Sequence, residues 1–169
     1  MSPPQTEIDP AGVLEILPTP PGLDQSNDVT RVDAAKLQTT LAGVTSAEAA
    51  KVYEDIGFHD GAIRTWSGPD GARLLVTISR WPDHQTATNV GGGVVNRILD
   101  TASTAAWTPK ELSGARGARP RTPGPAAVRV LSLAVADVSL LVRGEGSLTD
   151  QTMIRTMDLL ARPVRAAAP

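Results

Sequence analysis

The strongest constraint on this chain is a segment that occurs twice in outline: two short β-runs joined by a tight turn, then a helix-like stretch. The first copy runs Ala62–Trp66, the turn Gly68-Pro69-Asp70-Gly71, Arg73–Trp81 and a helical stretch Asp83–Ala106. The second runs Ala127–Val135, a turn at Ala136-Asp137, Val138–Arg143 and a helical stretch Leu148–Ala161. Within Arg73–Trp81, Leu74, Val76 and Ile78 alternate with Leu75, Thr77 and Ser79, the period of two expected of a strand. Gly-Pro-Asp-Gly before it is strong turn chemistry, so Ala62–Trp66 is the antiparallel partner.

Helix signals surround these hairpins. Asp33 caps Ala34–Ala42, which Gly43 ends. Ser46 caps Ala47–Ile56, whose Ala49, Val52, Tyr53 and Ile56 share one face. Pro82-Asp83 opens the next helix, with a stripe of Ala87, Val90, Val94, Ile98 and Ala102 interrupted by Gly91-Gly92-Gly93. Ser147-Leu148-Thr149-Asp150 resembles a capping box, and the helix after it carries Met153, Ile154, Met157 and Leu160 until Pro163 ends it. The order α-α-β-β-α-loop-β-β-α predicts an α+β domain made of two pseudo-repeated ββα units. In it, one antiparallel sheet of about four strands has its helices packed on one face. The other face is expected to be partly open or covered by the N-terminal arm.

That arm, residues 1–29, holds Pro3, Pro4, Pro10, Pro18, Pro20 and Pro21 and reads as an extended arm or tether. Its Val13, Leu14, Ile16, Leu17 and Leu23 are apolar enough to dock. A single domain follows over 30–163, with a disordered tail at 164–169. Residues 108–125, rich in Gly and Pro, form a long loop with room for an edge strand.

Composition removes several classes of function. The 169 residues include no Cys, so there is no disulfide, thiol nucleophile or thiolate metal site. One Phe, one Tyr and three Trp provide no aromatic platform for nucleic acid, and 16 basic against 18 acidic residues leave a net charge of −2. No apolar run reaches the length of a membrane span. The glycine triplet falls inside a helix already capped by Asp83, without the Lys-Ser/Thr of a phosphate loop, and reads as close packing against the sheet. His59 and His84 lie apart with scattered carboxylates, which supports neither a metal site nor a triad. No cofactor, metal or catalytic residue is assigned. Lys110, Arg116, Arg119 and Arg121 make the one local charge bias, in the 108–125 loop.

The best binding candidates are Arg64, Trp66, Arg80 and Trp81. Arg64 and Trp66 share a strand face, Arg80-Trp81 ends the partner strand, and Trp and Arg are the side chains most enriched at binding hot spots. The same four also fit core tryptophans flanked by solvated arginines.

Ile56-Gly57-Phe58-x-x-Gly61-x-x-Arg64-x-Trp66, then Pro69-Asp70-Gly71 and Leu75-Val76-Thr77-Ile78-Ser79-Arg80-Trp81, resembles a segment of actinobacterial cell-envelope lipoproteins and sensor-like extracytoplasmic domains. Pro123-Gly124 and Ala127–Arg143 correspond to the Pro-Gly element and second hairpin that follow in those proteins, so the resemblance covers roughly 45–162. It implies an α+β fold behind a proline-rich tether, an extracytoplasmic location and no catalytic set. A lipoprotein needs a lipobox Cys, which this chain lacks; either a leader has been removed or this member is not lipid-anchored.

Three functions follow as expectations. The leading one is a non-enzymatic binding domain of the cell envelope that recognises a protein or envelope ligand through the sheet face and the 108–125 loop. The second is a small cytoplasmic ligand-binding protein or enzyme with its pocket between the sheet and the Asp83–Ala106 helix. The third is a structural subunit anchored in a partner by Val13–Leu17. Oligomeric state is open in all three.

Overall fold

The computed structural model describes residues 3–43, 47–101 and 103–169, with the backbone alone at 47–50. Ser46 as a cap, and the side chains of Ala49 and Ala102 in their stripes, lie outside the described residues. The elements in chain order are α1 (Pro10–Glu15), β1 (Gln25–Ser26), β2 (Thr30–Val32), α2 (Ala34–Ala42) and α3 (Ala47–Asp55). Next come β3 (Asp60–Ser67), β4 (Arg73–Arg80), α4 (His84–Leu99), β5 (Thr104–Trp107) and β6 (Arg116–Pro120). The second hairpin is β7 (Val128–Val135) and β8 (Val138–Glu145), and α5 (Asp150–Ala167) closes the chain.

Both hairpins form as expected. Ala62 pairs with Ile78 and Trp66 with Leu74 in the first; Leu133 pairs with Leu140 in the second. Their turns place Asp70 at φ 59° and Ala136 at φ 50°, left-handed conformations that tight hairpin reversals require. The sheet is twice the expected size: among the described residues it has eight antiparallel strands, in the order β1-β3-β4-β8-β7-β6-β5 with β2 also on β3. The two hairpins join through β4 and β8, with Val76 opposite Val142.

Two of the extra strands come from residues 104–120. The helical stretch expected to reach Ala106 stops at Leu99, because the hydroxyls of Thr101 and Thr104 both donate to Ile98 O at 2.7 Å and take up a terminal carbonyl. Thr104–Trp107 then pairs with Arg116–Pro120, the edge strand allowed for inside the 108–125 loop.

Helices cover both faces of the sheet, not one. On one face, α1 and α5 bury Leu14, Met153, Met157 and Leu160 against Trp66, Leu74, Val76, Leu140 and Val142. On the other, α2, α3 and α4 bury Leu37, Leu41, Tyr53, Val90 and Val94 against Ile63, Val130 and Leu141. The reason lies in β7 and β8, where consecutive residues such as Leu140, Leu141 and Val142 are all buried, so each strand needs a partner layer on each side. α4 follows the first hairpin but packs over the second, with Gly91 on the crossing. A β-carbon at Gly91 would overlap Ser132 Oγ, so the glycine lets helix and sheet backbones approach closely.

The proline-rich segment is seated on the domain. Val13, Leu14, Leu17 and Leu23 are buried, Ile16 is 72% exposed, and β1 pairs with β3. At its start, the Thr6 main chain is clamped from both sides: Asp137 Oδ1 accepts from its N–H at 2.9 Å, and Arg80 Nη1 donates to its carbonyl at 3.1 Å. At the other end, α5 continues through Pro163 to Ala167, where a frayed tail was expected. Fully buried Val164 fastens that last turn to the core. Along the expected apolar face of α3 and the residue after it, Tyr53 is buried, edge-on to Trp81 at 5.3 Å, while Val52 and Ile56 are 48% and 40% exposed.

Candidate functional site

The four sequence candidates do not form one surface. Trp66 and Trp81 are 1% and 0% exposed and sit in opposite cores. Trp81 Nε1 donates to Ser79 Oγ at 2.9 Å. Arg64 lies over the Trp66 ring, 4.7 Å from its centroid, and spends its guanidinium on the carbonyls of Leu14, Glu15 and Leu17 and on Ser26 Oγ. Arg80 makes a two-pronged pair with Asp60, at 2.6 and 2.8 Å, besides holding Thr6. That pairing raises the Arg80 pKa further above its ordinary value and keeps the clamp charged. Both arginines therefore work inside the molecule, where flanking solvated arginines were one expectation.

Two of the four loop cations, Arg116 and Arg119, are also engaged. Arg116 Nη2 donates to Asn96 Oδ1 at 3.0 Å, Arg119 pairs with Asp150 at 3.0 Å and Arg129 with the same carboxylate at 2.7 Å. His59 is exposed, and His84 Nδ1 donates to Ala136 O at 2.8 Å, tying the start of α4 to the second hairpin turn. Among the described residues no cluster of three His, Asp or Glu forms, and no helix is long and apolar enough to cross a membrane.

What remains is a groove of about 470 Å³ on the α4 face of the sheet. Along β3, β4 and β8 the side chains on this face run Ile63 and Thr65, Thr77 and Leu75, Leu141 and Arg143. The helices cover only the first member of each pair closely; beyond them Thr65, Ser67, Arg73, Leu75, Arg143 and Glu145 line an open trough, with Asn27 at its rim. Register places Arg73 opposite Glu145 and Leu75 opposite Arg143, so the two arginines are diagonal neighbours, roughly 7–8 Å apart at the backbone.

This trough holds side chains that the fold leaves unused. Arg73 is exposed and has no ion-pair or hydrogen-bond partner among the described residues. Arg143 Nη2 approaches Glu145 Oε1 only at 3.4 Å, and its Nε is buried without a partner among the described residues. Asn27 Nδ2 donates to Thr65 Oγ1 at 2.6 Å, which leaves the threonine O–H to donate elsewhere. A second cavity of about 640 Å³, at the same end of the sheet beside Asp70 and Pro123–Pro125, contains Arg129, but that cation is consumed by Asp150. Of the expected candidates, Trp66 alone borders the trough, by its place on the strand. Arg73 and Arg143 were missed because they become neighbours only through the β4–β8 pairing, which joins residues seventy apart in sequence.

No family model matches the chain. No curated protein matches it in sequence. In structure it is similar to the crystal structure of the extracellular domain of PknH from Mycobacterium tuberculosis, with a TM-score of 0.52 and 12% identity, over 86% of this chain and 81% of that one. At that identity the likeness carries the fold alone: this α+β architecture is shared with an extracellular domain of an actinobacterium.

Proposed function

We propose that this chain is a non-enzymatic binding domain of the cell envelope, outside the cytoplasmic membrane, and that it takes a polar ligand in the trough of β3, β4 and β8. The observation that carries this reading is the pair of guanidiniums, Arg73 and Arg143, that the β4–β8 register sets as neighbours in one open trough. Arg64, Arg80 and Arg129 are held by internal partners, whereas in the trough Arg73 has no side-chain partner among the described residues and Arg143 has only the 3.4 Å approach to Glu145. An anionic ligand in the trough can accept charge-assisted hydrogen bonds from both guanidiniums. The shared fold with an extracellular domain, and the Gly-Phe…Arg-x-Trp segment at Gly57, Phe58, Arg64 and Trp66, support the envelope setting.

The space expected for an enzyme pocket between the sheet and α4 is filled at the Gly91 crossing, where the helix backbone lies against the Ser132 side chain. The test is a ¹H–¹⁵N titration of the domain with a soluble digest of a mycobacterial cell wall, alongside fractionation of cells expressing the full reading frame. Shifts confined to 65–67, 73–75 and 143–145, with the protein in the envelope fraction, support the reading. Consumption of a digest component, shifts only elsewhere, or a cytosolic protein overturns it.

A further inference from the structure

Resting on that reading of the trough, we infer the class of its ligand: a small monoanionic carboxylate that carries a hydrogen-bond donor beside the carboxylate. Two guanidiniums and one carboxylate face the space, a net charge of +1. A cationic ligand meets two like charges, and an apolar one offers the two guanidiniums no acceptor. A phosphate dianion exceeds the local charge and faces Glu145. A carboxylate matches it: one oxygen accepts from a terminal N–H of Arg143, the other from Arg73, and planar guanidinium donors suit such two-point contact.

The rest of the lining agrees. Glu145 is held only loosely by Arg143, at 3.4 Å, so it can accept from a hydroxyl or amide N–H on the ligand. The Thr65 hydroxyl supplies a further donor, and half-buried Leu75 supplies an apolar floor between them. The volume of about 470 Å³ suits a ligand of dipeptide or monosaccharide size. A peptide C-terminus and a sugar acid both carry this chemistry.

Four probes and three variants test the assignment by titration followed at the Arg Nε–H resonances and the backbone amides. The probes are N-acetyl-alanyl-alanine, its C-terminal amide, glucuronate and inorganic phosphate; the variants are Arg73→Gln, Arg143→Gln and Arg143→Lys. The expected result is saturable binding of a carboxylate probe at 65–75 and 143–145, at least tenfold tighter than the amide and than phosphate. Arg73→Gln and Arg143→Gln each weaken it tenfold or more. Arg143→Lys, which keeps the charge and removes the planar guanidinium fork, weakens it as well. Preference between the dipeptide and glucuronate identifies the source.

Equal binding of the amide, or tighter binding of phosphate, overturns the carboxylate assignment while leaving the trough as a binding site. Perturbation of the trough by none of the probes and by no component of the cell-wall digest overturns both. Arg73 is exposed, so Arg73→Gln remains informative even where an Arg143 variant folds poorly.

Discussion

Arg64 Nη1 donates to Leu14 O at 2.7 Å, and through that bond a residue of the first hairpin closes the C-terminal end of α1, a helix that no side chain caps at its start. The same guanidinium reaches Glu15 O, Leu17 O and Ser26 Oγ. Arg64 is thus the joint between the N-terminal segment and the sheet. Arg64→Ala is expected to cost about 1–3 kcal/mol, the range for leaving part-buried carbonyls without their charged donor. Arg64→Lys recovers little of it, because a single ammonium cannot span the carbonyls and Ser26 together. Denaturant unfolding gives the loss, and hydrogen exchange should show it concentrated in residues 10–17.

Removal of residues 1–24 is expected to unfold or aggregate the remainder. The segment packs Leu14, Leu17 and Leu23 into the same core as Trp66, and its loss uncovers the part of that face that α5 does not reach. Leu14→Ala is the milder version, at about 2–5 kcal/mol for a fully buried leucine. A truncated chain that unfolds with the same midpoint as the full chain would show the segment to be a mere tether.

The three glycines of α4 are expected to respond differently to alanine. Gly91→Ala forces the helix off Ser132 and costs about 1–3 kcal/mol, and Ser132→Ala in the same chain relieves part of it. Gly93 is exposed with nothing near its missing β-carbon, so Gly93→Ala stabilises by up to about 1 kcal/mol through helix propensity. Thermal unfolding of the three variants checks the order. Equal effects at both positions would refute the close crossing.

Asp83 caps α4, and the backbone N–H of Thr86 holds its carboxyl below the ordinary aspartate value of 3.8. A carboxyl more acidic in the folded state stabilises fully above its unfolded value, and that contribution fades as pH falls through 3.8 and below. Asp83→Asn keeps a capping oxygen without the charge, so its unfolding midpoint should fall less steeply than that of the wild type between pH 5 and roughly pH 2.5. Parallel slopes would show that the charge adds nothing to the cap.

Local chemistry was legible where neighbours in sequence are neighbours in space. The alternation of Leu74, Val76 and Ile78 marked a strand, Gly68–Gly71 marked its turn, and Asp33 and Asp83 accept from Lys36 and Thr86 as capping residues should. The α+β class follows from that order. Residues 104–107 were misjudged because Thr, Ala and Trp continue a helical stripe as readily as they form a strand. Only the hydroxyl bonds to Ile98 and pairing with β6 decide between them.

What the sequence by itself determined is therefore the inventory of hairpins, caps and most helices, because hydrogen-bond periodicity and capping act over a few residues. What only the tertiary structure decided is how the hairpins join, which faces the helices cover and which arginines are left over. Val76 meets Val142, and Arg73 meets Glu145, through a pairing whose register depends on filling two cores at once. Burial spent Arg64, Arg80, Trp66 and Trp81 on the interior. The same packing left Arg73 and Arg143 facing open space, a difference that charge and residue type alone do not carry.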